Sequence, residues 1–120
     1  MNVSEKDERT VHEIVQGVKE NGELKKTFKV GEAFLYAEAK HYVLKVKSIS
    51  SNLLYLRKDP NSTFNYSVYA TCRRNNRVEP IYGDRIGRAK LPEDMKSHLE
   101  IVLPFRRKSL FMSLYPYTDG

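Results

Sequence analysis

Three stretches of this chain alternate between apolar and polar residues, and the clearest runs from Thr63 to Arg74. Phe64, Tyr66, Val68, Ala70 and Cys72 share one parity, while Thr63, Asn65, Ser67, Tyr69 and Thr71 share the other. A strand sends successive side chains to opposite faces, so the pattern predicts a strand with an apolar and a polar face. Leu24 to Val30 alternates in the same way. In His41 to Ile49, Tyr42, Leu44 and Val46 form one face and Lys45 and Lys47 point away. Ser50-Ser51-Asn52 then reads as a turn into a further strand, Leu53 to Arg57, giving an antiparallel hairpin. Asp59-Pro60-Asn61-Ser62 is turn chemistry before the 63–74 strand. Asn75-Asn76 turns that strand back into a shorter one, Val78 to Tyr82. Pro80 cannot donate to a ladder and places this return strand at an edge or in a bulge. Gly83 to Gly87 reads as a loop.

The first segment has a different period. Val11, Ile14, Val15 and Val18 recur at helical spacing. Ser4 stands as a capping residue, acids fill the first turn and Asn21-Gly22 follows as a stop. The pattern predicts an amphipathic helix over residues 4–20, with its stripe docked on the sheet. Residues 32–40 fit either a short strand at 33–36 or a helix. Residues 92–103 open like a helix at Pro92-Glu93-Asp94 and carry Met95, Leu99 and Val102 at helical spacing, although 99–103 also reads as strand. Residues 109–115 read as a last strand, and 116–120 as a loose tail. The expected fold class is α+β: a small antiparallel β-sheet or partly open barrel with an N-terminal amphipathic helix and a possible short C-terminal helix. With 120 residues, a single domain spanning 1–120 is expected.

Charge adds a functional direction. The net charge is +6. Residues 1–23 hold three bases and six acids, a net of −3; the remainder hold eighteen bases and nine acids, a net of +9. An acidic leader on a basic body points to an acidic partner, either nucleic acid or an acidic protein surface, although excess lysine also serves solubility alone. The single cysteine, Cys72, excludes an intramolecular disulfide, and its parity predicts burial as a small apolar side chain. No apolar run approaches the ~18–20 residues of a membrane span, and the charged N-terminus is unlike a signal peptide. A cytoplasmic, intracellular protein is expected.

Catalytic chemistry finds little support. His12, His41 and His98 lie far apart in sequence and form no metal-ligand spacing with Cys72 or with acids, so no metal and no cofactor are expected. The Gly83–Gly87 spacing lacks the Lys-Ser/Thr of a phosphate loop. What remains is arginine. Arg73, Arg74 and Arg77 flank one turn, Arg85, Arg88 and Lys90 fall in the next predicted loop, and Arg106, Arg107 and Lys108 precede the last strand. Arginine makes planar, bidentate contacts with phosphate, and Tyr69 and Tyr82 offer rings for stacking beside it. The expected function is a non-catalytic module that docks a polyanionic surface, nucleic acid or a nucleoprotein complex, through these arginine-rich turns. The competing expectation is a protein–protein regulator, such as an inhibitor of a polymerase or protease, in which the same cations meet acidic protein.

Overall fold

The computed structural model describes residues 9–36, 41–47, 53–62 and 64–116. They form eight antiparallel strands: β1 (Arg9–Glu20), β2 (Glu23–Tyr36), β3 (His41–Val46), β4 (Leu54–Lys58), β5 (Asn65–Arg74), β6 (Arg77–Lys90), β7 (His98–Val102) and β8 (Leu110–Ser113). Each strand pairs with its neighbours in sequence, and β8 returns to β1, so the sheet closes into an up-and-down barrel. Full closure removes the exposed edges that an open sheet of this size would leave.

The expected α+β class is therefore corrected to all-β, because no helix occurs among the described residues. Of the predicted 4–20 helix, residues 9–20 are strand β1, and residues 1–8 lie outside the described set. Thr10, Val11, Ile14, Val15 and Val18 are β-branched, and a branched run favours extended backbone whatever its apolar period. Asn21-Gly22 is a hairpin turn rather than a helix stop. Both residues have positive φ, 52° and 79°, as a two-residue type I′ turn requires.

The possible C-terminal helix is likewise absent. Residues 92–97 are turns and irregular chain, and His98–Val102 is strand β7. β2 runs through Gly31 in one strand. There the β1–β2 register shifts, and a Cβ on Gly31 would run into the carbonyl oxygen of Lys45 on β3. Most consequentially, the predicted loop at 83–87 belongs to β6.

The barrel is filled rather than hollow. Ile14, Val30, Leu44, Leu56, Val68, Leu99, Ile101 and Met112 meet in one apolar cluster from strands around the whole circuit. Interdigitated aliphatics of this kind occupy the interior of a small barrel. The β3–β4 hairpin and the inward parity of Val68 match the sequence reading. Cys72 is only half-buried, because the β5–β6 hairpin projects past the core at its tip.

One end of the interior is polar. His12 is buried, donates from Nδ1 to the Ser113 carbonyl at 2.9 Å and accepts at Nε2 from the Thr10 hydroxyl at 2.8 Å. Burial raises the pKa values of Tyr42 and Tyr66, which pack against the core.

A second, smaller core lies outside the barrel. Val15, Phe111 and Met95 are buried together, with Leu24 packed against them. Past Gln16, β1 is no longer paired with β8. The β1–β2 turn instead reaches the β6–β7 loop, where Lys19 Nζ meets Asp94 Oδ1 at 3.1 Å and lies 4.0 Å from Glu100 Oε1.

No helix among the described residues is long and apolar enough to cross a membrane. The barrel itself carries lysine and arginine on its outer face at Lys45, Arg85, Arg88 and Lys90. Its strands β7 and β8, of five and four residues, are shorter than the roughly 9–11 residues a bilayer-spanning strand needs.

Candidate functional site

The outer face of β4, β5 and β6 gathers the arginine and aromatic side chains. Leu54 and Leu56 point into the core, so Tyr55 and Arg57 between and beside them point outward. The register then fixes their neighbours. Arg57 stands opposite Ser67, and Ser67 opposite Arg88; Tyr55 stands opposite Tyr69, and Tyr69 opposite Arg85; Asn65 stands opposite Lys90. Residues directly across an antiparallel ladder share a face. One surface thus carries Arg57, Arg88, Arg85 and Lys90 with Tyr55 and Tyr69.

Tyr82 joins this surface through an irregularity in β6. Between the pairs Tyr69↔Arg85 and Thr71↔Pro80, β5 advances two residues while β6 advances five. The extra residues loop out and lay Tyr82 over the outer face. Its ring meets Tyr69 edge-on at 5.2 Å and Tyr55 at 6.3 Å, and the Arg57 guanidinium lies 5.6 Å from its centroid. On the other side His41 stacks on Tyr55 at 4.2 Å. The cluster covers Tyr55, which is 8% exposed, and leaves Tyr82 55% exposed. Burial, followed by a hydrogen bond shared with Tyr82, pushes the Tyr55 phenol up to about 12. Burial and then the Arg57 charge lower the His41 pKa.

Beside this cluster lie three clefts that adjoin through shared lining residues and are together called the trench. The central cleft, about 400 Å³, is lined by Asp59, Asn65, Tyr66, Arg85, Arg88, Lys90, Glu100 and Val102. A second, about 380 Å³, shares Arg85, Arg88 and Val102 with it and extends to Ile86 and Pro104. A third, about 750 Å³, shares Asn65 and Lys90 and extends past Phe64 to Lys19, Glu93, Asp94 and Lys96.

The trench carries both signs of charge, Lys19, Arg85, Arg88, Lys90 and Lys96 against Asp59, Glu93, Asp94 and Glu100. Three of its four carboxylates are engaged: Asp59 accepts from the Ser67 hydroxyl at 2.7 Å, Asp94 pairs with Lys19, and Glu100 accepts from Ser109 at 3.0 Å. Arg85, Arg88, Lys90 and Lys96 make no ion pair among the described residues.

Of the residues expected from sequence, Arg85 and Arg88 line the trench, and Tyr69 and Tyr82 stand beside Arg85 on the same face. Arg73, Arg74 and Arg77 project from the β5–β6 tip, where Asn75 and Asn76 take positive φ. Arg74 is 3.8 Å from Glu79 there. Arg106 is half-buried in the β7–β8 connection and donates from Nη2 to Gln16 Oε1 at 2.6 Å, a structural tie between β1 and that connection. Arg107 and Lys108 beside it are exposed. None of these six lines the trench.

Arg57, His41, Tyr55 and Phe64 were not expected at the site, whereas Lys90, grouped with Arg85 and Arg88 in the sequence, lines the trench with them. Arg57 and Tyr55 carried a usable signal, since they share the parity opposite to Leu54 and Leu56. Phe64 carried none: its parity with Val68 predicts burial, and it stands exposed just before β5. No group of three or more potential metal ligands occurs among the described residues. Comparison with known protein families, with curated proteins and with solved structures finds no match to this chain.

Proposed function

We propose that this barrel is a binding module for nucleic acid, which lies along the trench over β6. The observation that carries the reading is the row of Arg85, Arg88 and Lys90, three cations that make no ion pair among the described residues and outnumber the two carboxylates of the central cleft, Asp59 and Glu100. Phosphates are suited to these cations, and arginine offers them a planar, two-pronged donor. The Tyr69–Tyr82 ring contact restrains the neighbouring surface, which limits the side-chain freedom lost there on binding. The exposed arginines at the β5–β6 tip add long-range attraction for a polyanion.

The test is a salt titration of binding to a generic oligonucleotide. Reversing Arg85 and Arg88 to Glu lowers affinity for every sequence and reduces the salt slope by roughly one for each lost phosphate contact. Stability stays within about 0.5 kcal/mol, because both side chains are exposed and away from the core. Absence of binding by the native protein at about 50 mM salt overturns the reading, since a cationic surface shows at least non-specific affinity there. Recovery of a single nuclease-resistant protein from lysate favours the competing role as a regulator of a larger enzyme.

A further inference from the structure

We infer that Phe64 is a stacking platform for an unpaired base, and that the nucleic acid in the trench is therefore single-stranded. The inference rests on the nucleic-acid reading above and deepens it. Phe64 is 57% exposed at the mouth of the third cleft, one residue from Asn65, which lines both that cleft and the central one. A large exposed aromatic is common enough on its own. What sets this one apart is that its backbone is pinned on both sides. The Phe64 and Asn65 amides both donate to Ser62 Oγ, at 3.3 and 3.1 Å, and the Phe64 carbonyl accepts from the Leu91 amide at 3.2 Å. A fixed backbone beneath a free ring is pre-organised for a flat ligand.

Its surroundings select the ligand's chemistry. Lys90 stands in the register position opposite Asn65, and Arg88 lines the trench beyond it. A base on Phe64 thus has cations for its flanking phosphates in one direction along the groove. Stacking is indifferent to sequence, because every base has a π-face, but it requires the base to be out of a duplex.

The experiment compares a labelled oligothymidylate, the same length of abasic strand and a mixed-sequence duplex, at about 50 mM salt where charge contacts are strong. Phe64→Ala weakens oligothymidylate binding about tenfold, within the range found for single base–aromatic stacks. It leaves abasic-strand and duplex binding unchanged, as well as the salt slope. Phe64→Leu, which keeps the bulk and loses the ring, behaves like Phe64→Ala. Equal losses on the oligothymidylate and the abasic strand, or no loss on either, overturn the stacking role. In those cases the charge reversal at Arg85 and Arg88 still weakens binding and the broader reading stands. Native binding to none of the three probes removes both.

Discussion

At the scale of single residues, the outer aromatic cluster sets two titrations. Tyr55 is almost covered, and its phenol is pushed up to about 12 by burial and by its hydrogen bond with Tyr82. A raised phenol favours the protonated folded state, so this contribution is complete below the ordinary value near 10 and is lost as pH rises through about 12. Tyr82→Phe removes the hydrogen bond and the neighbouring ionisable group together. Tyr55 then ionises at lower pH, visible as an earlier phenolate absorbance in an alkaline titration; an unchanged profile counts against the coupling. His41 behaves in the opposite sense. Burial and Arg57 hold its pKa below 6.5, so the unfolded chain takes up this proton first and stability falls as pH drops through that value. His98, lowered by burial against an opposing pull from Glu13, adds to the same loss. His41→Phe retains a ring against Tyr55 without the proton. Its denaturant midpoint therefore declines less than that of the native chain between about pH 7 and pH 5. Equal declines would show that the imidazole is not the titrating group.

At the scale of elements, the hairpin β1–β2 shows where sequence pattern stops being decisive. Four apolar residues at helical spacing and an Asn-Gly pair are compatible both with a capped helix and with a strand entering a type I′ turn. What separates the two is partner strands, and those come from β2, the return arm of the same hairpin, and from β8 at the far end of the chain. β5 was legible because strict alternation has only one structural reading, and β3–β4 because a short polar turn joins two such runs. Arg85 and Arg88 were recognised as candidates but placed in a loop, since Gly83 and Gly87 resemble turn punctuation; in the folded protein Gly87 admits the close approach of Val102 and Leu103. The trench was not legible at all, as it joins loops at 64, 91–96 and 104 through tertiary register. The turn itself is testable. Gly22 has φ of 79°, and a Cβ there would stand 2.6 Å from the Asp94 carbonyl oxygen. Gly22→Ala therefore costs at least about 1–2 kcal/mol from the left-handed backbone alone. A melting temperature within error of the native value would mean that the turn is free to rearrange. Ile14, fully buried in the barrel, is the matching probe of β1: Ile14→Ala costs ~2–5 kcal/mol in chemical denaturation.

At the scale of the whole molecule, closure of the barrel depends on short ladders. β8 meets β1 at three paired positions and β6 meets β7 at three, whereas β1 and β2 remain paired along nearly their whole length. The β7–β8 hairpin is therefore held to the rest of the sheet by few backbone hydrogen bonds on either flank. Side-chain burial compensates on both of its faces. Leu99, Ile101, Leu110 and Met112 fill the barrel, while Phe111 packs outward against Val15 and Met95 beneath the folded-over end of the β1–β2 hairpin. Lys19 ties that end to Asp94 and Glu100, and Arg106 bonds to Gln16. The exposed ion pair adds little, so the apolar contact dominates the outer clasp. Phe111 thus behaves as a core residue despite facing away from the barrel interior, and Phe111→Ala costs ~3–5 kcal/mol. The loss is also local. Once the clasp is gone, the flanks are held by the inner face and short ladders alone, and β7–β8 becomes the first cooperative unit to open. Hydrogen exchange reads this directly: in the variant, amides of β7, β8 and residues 14–16 exchange faster relative to β3, β4 and β5 than in the native chain. Uniform acceleration across all eight strands would instead mean that the barrel opens only as a whole.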